Sequence, residues 1–309
     1  MKYTRRDFIK TTAACGLAAG AGPLLVGVRS SYAAAQPQST LAVVQGARPA
    51  ATRKAIQLLG GMEAFVKKDS RVVLKPNMSW ASTIESAADT HPDVVKEVAA
   101  MCIEAGAREV RILDHTINRA EACLKLSGIG DACSGMKNVY VYAVNDKKFY
   151  RSVAIPKGKV LKSVDIIKDV LDCDVFINLP CAKSHTTTGV TLGMKNLMGI
   201  IWDRRAFHSD FDINQALADL TSAVKVNLTV LDASRALTTG GPSGPGLVTE
   251  PGTIIAGTDP VAVDAMGVTM ANWYGQKFSP TQIKHIVAAH DMGLGTMDLS
   301  LVNIIKAAV

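Results

Sequence analysis

Three lysines and two asparagines are placed in the sequence where they could hold a small anion. They are Lys75, Asn77, Lys183, Lys195 and Asn196. Ammonium groups form strong charge-assisted hydrogen bonds with carboxylates and phosphates, and side-chain amides can orient the bound group. We therefore predict an anion site built from these five residues.

The segment from His185 to Gly199 is unusually rich in threonine and glycine, and it contains Lys195. Glycines allow backbone amides to approach a ligand closely, which favours a binding segment. A flexible connecting loop is an equally good interpretation of the same composition.

A second glycine-rich stretch covers residues 240–246, with the sequence GGPSGPG. It is not a phosphate-binding P-loop, because no Gly-Lys-Ser/Thr follows and its two prolines remove amide donors. We interpret it as a shaped turn near the same site and include Gly241 among the ligand-binding candidates.

Two histidines are candidates for acid–base catalysis, since an imidazole titrates near neutral pH. They are His91 and His185. Four aspartates could hold a metal ion or orient a histidine: Asp114, Asp232, Asp259 and Asp264. No metal-binding spacing such as H-E-x-x-H accompanies them, so the cofactor is left unknown, with a metal ion as one candidate.

Each of these residues also has a purely structural interpretation. An isolated loop histidine is often a surface residue, and Asp259 before Pro260 is typical of a helix cap. Asp264 lies in an apolar helical segment, where a buried carboxylate must be paired, hydrogen-bonded or bound to metal. Only the joint pattern favours a site.

Short apolar runs alternate with helical patterns, which predicts an α/β domain with a mostly parallel sheet and helices on both faces. The predicted strands are an edge strand at Leu41–Val44, then Arg71–Leu74, Glu109–Leu113, Asn138–Ala143, Asp174–Asn178, Val226–Leu231, Gly252–Ala256 and Leu301–Ile305. The predicted helices are Pro92–Ala105, capped by Thr90 with Asp93 as its capping-box acid, and Ala120–Leu126, Val164–Leu171, Phe211–Val224, a helix from Pro260 capped by Asp259, and Pro280–His290.

Polar residues follow five of the predicted strands. They are Lys75 to Asn77, Asp114 and His115, Asn178 to His185, Asp232 to Arg235, and Gly257 to Pro260. Carboxyl ends of parallel strands meet at one edge of a sheet, where ligands usually bind. We therefore expect these five segments to converge.

The first 35 residues have the pattern of a twin-arginine signal peptide, which predicts an exported, periplasmic protein that is soluble after cleavage. Arg5 and Arg6 precede a mildly apolar stretch rich in alanine and glycine, and small residues at 31–35 suit signal peptidase. The expected partner in export is the twin-arginine translocase. This segment carries +4 of the formal charge of +7, which argues against a nucleic-acid partner for the single domain expected over residues 36–309.

The five cysteines beyond residue 35 include no C-x-x-C, so no self-contained iron–sulfur cluster is expected. Most are interpreted as small buried hydrophobic residues, although Cys123 and Cys133 could pair outside the cytoplasm. Cys181 is interpreted as a loop residue whose pKa is lowered by the nearby Lys183.

Four segments resemble domain-of-unknown-function family 362 over roughly residues 70–270. They are Lys75-Pro76-Asn77, Thr90-His91-Pro92, the segment from Lys183 to Gly199, and the segment from Asp259 to Asp264. The resemblance implies that these residues share one site. Some relatives carry an added ferredoxin-like iron–sulfur segment, which this chain lacks. The family also commonly has an acidic residue before the Gly-Pro loop, where this chain has Leu237-Thr238-Thr239.

Two functions are consistent with these observations. One is a periplasmic enzyme or redox-accessory protein that binds a small anion, with a metal ion as a further candidate. The other is a non-catalytic binding or assembly protein that supports a membrane redox complex.

Overall fold

The computed structural model describes residues 39–309, so the predicted signal peptide lies outside the described residues. The described strands are β1 (Ser39–Gln45), β2 (Arg71–Pro76), β3 (Glu109–Asp114), β4 (Val139–Ala143), β5 (Tyr150–Ala154), β6 (Ser163–Ile167), β7 (Val175–Leu179), β8 (Cys181–His185), β9 (Gly189–Thr191), β10 (Leu228–Leu237), β11 (Val248–Thr249), β12 (Thr253–Gly257) and β13 (Val302–Ala308). The α-helices are α1 (Arg48–Leu58), α2 (Pro92–Glu104), α3 (Ala120–Leu126), α4 (Ile129–Ala132), α5 (Lys168–Asp172), α6 (Gly193–Asn196), α7 (Ala206–Ser209), α8 (Ile213–Ala223), α9 (Pro260–Val268) and α10 (Lys284–Asp291).

One large sheet organises these elements, in the order β13-β1-β12-β10-β7-β2-β3-β4. The neighbours from β10 to β4 are all parallel, whereas β12 is antiparallel to both β1 and β10. Strands β8 and β9 extend from β10, and β5 and β6 form a separate hairpin. This mixed but mostly parallel α/β architecture confirms the predicted fold class.

Helices cover both faces of the sheet. Successive residues of a strand point to opposite faces, so neighbouring residues of one strand pack against different helices. Val72 and Leu74 of β2 pack into a cluster with α1 and α2, whereas Val73 between them joins a cluster on the other face with α8 and the β5–β6 hairpin. Helices α9 and α10 form a further cluster with Leu231 and Ile255.

Three local predictions are wrong. Leu41–Val44 belongs to β1, which lies between β13 and β12 and is not an edge strand. The helix predicted over Val164–Leu171 is a strand followed by the short helix α5, because a run of apolar residues fits either structure. Helix α2 is capped by His91, whose Nδ1 accepts from the Asp93 amide, and not by Thr90.

The expected convergence of five strand ends is wrong in the direction of β12. Because β12 is antiparallel to β10, Asp259 follows a strand that runs opposite to β2, β3 and β7. Asp259 caps α9 through the amides of Val261 and Ala262, and its second oxygen accepts from Thr296. Strand β10 is also longer than predicted, so Asp232 lies within it.

Within residues 39–309, every helix is too short or too polar to cross a membrane.

The placement of Asp259 predicts that Asp259→Ala affects stability alone. Loss of the cap should lower the free energy of unfolding by about 1–2 kcal/mol, measured by urea denaturation. Thr258→Ala is the control, since Thr258 is exposed and makes no side-chain hydrogen bond within residues 39–309. Loss of anion binding in Asp259→Ala with unchanged stability would contradict this structural role.

Candidate functional site

A cavity of about 760 Å³ opens beside the ends of β2 and β8 and the first turn of α6. Of the residues predicted from sequence, it is lined by Lys75, Asn77, Lys183, His185, Lys195 and Asn196. Thr191, Met198 and Pro242, from the two glycine-rich segments singled out above, also line it. Sequence reasoning missed a further group, which includes Ser79, Trp80, Ile117, Arg204, Arg205 and His208. No aspartate or glutamate of the described chain lines it.

Lys75 at the end of β2 is fully buried and fully partnered. Its Nζ lies 3.0 Å from Asp114 Oδ1 and donates to Asn196 Oδ1 at 2.8 Å and to the Pro76 carbonyl at 2.9 Å. The other oxygen of Asp114 accepts from the Met78 amide and the Ser79 hydroxyl. Burial lowers the pKa of Lys75, and the Asp114 carboxylate opposes this shift. Asp114 is thus the counter-ion that fixes the position of the Lys75 side chain.

Asn196 joins α6 to the sheet. Its Nδ2 donates to the Lys75 carbonyl at 3.1 Å and to Asn178 Oδ1 at 2.9 Å. Asn178 of β7 in turn donates to the Gly193 carbonyl at 2.9 Å. Buried amides are stable only when their hydrogen bonds are made, so this network fixes the short helix against β2 and β7.

Asp264 fixes the other side of α6. Its two oxygens accept from the backbone amides of Gly193 at 2.6 Å and Met194 at 3.0 Å. Burial raises the pKa of Asp264 to about 7, although these two amides oppose the shift. The carboxylate therefore positions the turn that carries Lys195.

Lys195 differs from the other two lysines because its ammonium group has no oxygen partner among the described residues. Its side chain is 8% exposed, and its Nζ contacts only the thioether of Met198, at 2.9 Å. Burial, together with the charges of Lys183, Arg204 and Lys75, lowers the pKa of Lys195 to about 7.

Lys183 of β8 donates to the Ala88 carbonyl, and its Nζ lies 5.7 Å from the centre of the Trp80 ring. The adjacent Asp89 is buried, with one carboxylate oxygen unpaired in the described chain. Burial raises the pKa of Asp89 to about 7, although Lys183 opposes the shift.

His185 lines the cavity as a neutral hydrogen-bond donor. Its Nδ1 accepts from the amides of Thr187 and Thr188, so the ring proton lies on Nε2. Burial lowers the pKa of His185 to about 3, with further contributions from Lys195 and His208. The environment thus holds the pKa of His185 below neutrality, whereas the pKa of Lys195 is lowered to about 7.

Two further polar atoms of the cavity residues have no partner in the described chain: Asn77 Oδ1 and Thr191 Oγ1. Both are buried, and a buried polar group left unpaired costs about 1–3 kcal/mol. Together with Lys195 Nζ, they present an acceptor, a hydroxyl and a cation without partners.

The basic pair Arg204-Arg205 lines the cavity. Arg204 donates to the carbonyls of His115 and Thr116, while Arg205 makes no side-chain hydrogen bond in residues 39–309. The segment that carries them also brings His208, whose ring stacks on His185 at 6.1 Å. No periodic pattern in the sequence places this segment over the sheet edge.

The structure does not bring every predicted residue to the cavity. His91 caps α2, and its amide donates to Asp232 Oδ2 at 2.9 Å. Asp232 also accepts from the amide and hydroxyl of Ser234. The amide of Gly241 donates to the Ser184 hydroxyl, and Gly241 does not line the cavity. The next residue, Pro242, does line it.

The four aspartates predicted as metal ligands each bind different protein groups. Asp114 pairs with Lys75, Asp232 accepts from the His91 amide, Asp259 caps α9, and Asp264 accepts from the Gly193 amide. In the part of the chain that the structure describes, no three histidine, cysteine or carboxylate side chains form a group that could hold a metal ion.

Cys181 lies within β8 and not in a loop. Burial raises its pKa to about 11 and outweighs the predicted lowering by Lys183. All five cysteines of the described chain are free thiols.

Comparison with known proteins gives one family and several distant relatives. The model of the "Domain of unknown function (DUF362)" family matches residues 72–269. The thylakoid-associated protein sll1697 of Synechocystis sp. is 27% identical over 226 residues, which cover 71% of this chain and 68% of that protein.

Two solved structures are similar at lower identity. One is a protein from Thermotoga maritima (15% identity, TM-score 0.41, 60% of this chain and 51% of that chain). The other is the lactate racemase apoprotein from Thermoanaerobacterium thermosaccharolyticum (13% identity, TM-score 0.43, 70% of this chain and 54% of that chain). The chain thus spans about half the length of these two proteins.

The close packing of the Lys75–Asp114 pair predicts that Gly199→Ala is strongly destabilising. A Cβ at Gly199 would overlap Asp114 Oδ1 and lie 2.5 Å from Lys75 Nζ. Breaking a buried ion pair typically costs about 3–5 kcal/mol, which chemical denaturation would measure. Gly130→Ala is the control, because its Cβ would lie 3.4 Å from its nearest neighbour. Equal stability of the two variants would show that the pair tolerates displacement.

Proposed function

The chain belongs to the DUF362 family, and we propose that it is an enzyme that binds a small organic anion, a carboxylate or a phosphate, in the cavity beside β2 and β8. The observation that carries the proposal is electrostatic. Five lysine and arginine side chains line the cavity, no carboxylate of the described chain does, and the ammonium of Lys195 has only a thioether neighbour.

A bound anion would supply the partner that Lys195 lacks. A charge held in a poorly hydrated site without a counter-ion is costly, so the site favours a ligand of opposite charge. Charge-assisted hydrogen bonds are roughly twice as strong as neutral ones, and the nearby Arg204 adds to the attraction. Asn77 Oδ1 and Thr191 Oγ1 are available to the ligand's own polar groups.

The titration of Lys195 favours an enzyme over a passive binding protein. A group whose pKa lies near the working pH exchanges protons efficiently in both directions. The pKa of Lys195 is lowered to about 7, whereas a passive anion site needs only permanent charges, such as those of arginine. Lys195 is therefore the proposed acid–base group, and the neutral His185 is the proposed hydrogen-bond donor.

We further propose that the protein works outside the cytoplasm after export by the twin-arginine route. The support is the sequence pattern around Arg5 and Arg6, followed by an apolar stretch rich in alanine and glycine.

Lys195→Met tests the anion site, because methionine removes the charge at similar volume. We expect at least a tenfold weaker affinity for sulfate in isothermal titration calorimetry at pH 6, and unchanged folding by circular dichroism. Lys225→Met is the matched control, since Lys225 is exposed and precedes β10 at the far edge of the sheet.

The affinity for sulfate should also fall as the pH is raised. Sulfate keeps its charge from pH 6 to pH 9, so deprotonation of Lys195 should weaken binding as the pH is raised through about 7. Other titratable groups nearby are Lys75, Lys183, His185, His208 and His285, together with Asp89 and Asp264, whose pKa values burial raises to about 7. Lys195→Met should abolish the titration near pH 7; an identical pH profile in that variant would rule out Lys195 as its source.

Arg5→Lys combined with Arg6→Lys tests export. The double variant should accumulate in the cytoplasm of a bacterium with a twin-arginine translocase, whereas the unaltered chain should reach the periplasm, as followed by cell fractionation. Equal export of both would contradict this route.

A further inference from the structure

The most unusual group in the cavity is the side-chain amine of Lys195. It is nine-tenths buried, carries no oxygen partner within residues 39–309, and is held on a short helix fixed from both sides by Asp264 and Asn196. A lysine used only to bind charge gains nothing from such isolation. A lysine used as a nucleophile needs its nitrogen lone pair unprotonated and unshared.

The cations around Lys195 supply what a carbonyl acid would require. Lys183 and Arg204 are close enough for their charges to act on the Lys195 amine, and Arg205 lines the same cavity. Arginines keep their charge at every physiological pH, so they can hold a carboxylate while Lys195 is neutral.

Building on the proposed anion site, we infer that Lys195 forms an imine with the carbonyl carbon of a 2-oxo acid whose carboxylate is held by the neighbouring cations. The pKa of about 7 supports this role, because a large part of the amine is neutral at pH 7.

Imine formation between Lys195 and the 2-oxo acid needs no further reactant and releases one water molecule. The Nζ lone pair of Lys195 forms a bond to the carbonyl carbon, and the carbonyl π electrons move to oxygen. A proton then passes from nitrogen to that oxygen to give a carbinolamine. Loss of the hydroxyl group with the remaining Nζ proton forms the carbon–nitrogen double bond and releases one water molecule. Hydrolysis reverses the sequence and restores Lys195.

Two side chains are suited to the oxygen that leaves. The Nδ1 atom of His185 accepts from two amides, which places the ring proton on Nε2, and this Nε2–H group donates to no acceptor in the described residues. The Thr191 hydroxyl is buried and unpartnered. Both line the cavity with Lys195, so they can donate to an alkoxide as charge develops on it.

The rest of the cavity favours a 2-oxo acid with an apolar substituent. Trp80, Ile117 and Met198 line it, and Ile117 is 51% exposed. Desolvation of such side chains by an apolar group is favourable, by about 25 cal/mol per Å² of apolar surface buried.

Reductive trapping tests the inference directly. The full-length protein is incubated with pyruvate or phenylpyruvate and sodium cyanoborohydride, and the modified lysine is identified by peptide mass spectrometry. We expect modification of Lys195 at least tenfold above that of the exposed Lys225, saturation with rising phenylpyruvate, and protection by sulfate.

Lys195→Arg separates this inference from the anion site itself. The arginine keeps a cation but cannot form the imine, so sulfate binding should persist while trapping in the cavity is lost. Uniform labelling of surface lysines, or labelling of the wild type that Lys195→Arg does not change, would overturn the imine. If sulfate still bound in that case, the proposed anion site would stand; if sulfate bound neither protein, the anion site would fall as well.

Discussion

The site depends on one buried side chain, that of Asn196. Its amide oxygen accepts from the Lys75 ammonium, and its amide nitrogen donates to the Lys75 carbonyl and to Asn178. These bonds tie α6 to two parallel strands, β2 and β7, at the edge where both end. Because Lys195 precedes Asn196 on a helix of only four residues, the position of its amine follows from these bonds. Without Asn196, several buried groups would lose partners, at about 1–3 kcal/mol each.

The same arrangement creates an electrostatic imbalance. Lys75 has Asp114 as counter-ion, but Lys195 has none among the described residues. The native state therefore releases the Lys195 proton near pH 7, whereas the unfolded chain keeps it up to about 10.5. Between these values the unfolded state binds more protons, so this group makes the free energy of unfolding rise with pH. Below about pH 7 the native state carries the full cost of the charge, and a bound anion would relieve it.

Much of the fold and part of the site were predictable from local patterns. Lys75, Asn77, Lys183, Lys195 and Asn196 meet at the cavity because β2 and β7 are parallel and polar residues follow them. Asp259 was misplaced because nothing in its own segment reveals that β12 pairs antiparallel. Arg204 and Arg205 were missed because their position depends on long-range hydrogen bonds to the His115 and Thr116 carbonyls. The pKa values of Lys195 and His185 depend on burial and on neighbours distant in sequence, which no local pattern encodes.

The lysines and the arginines of the cavity differ in how deeply they are buried. Lysines occupy the buried positions, at 75, 183 and 195, while the exposed Arg205 and half-buried Arg204 come from the segment before α7. An arginine cannot lose its proton in a protein, whereas the pKa of a lysine falls readily on burial. The arginines therefore supply constant attraction for an anion, and the lysine without a partner supplies a nitrogen that changes its protonation near neutral pH. An array of five arginines would bind anions at least as well and would lack that chemistry. The presence of lysine at position 195 is thus better explained by reaction than by binding alone.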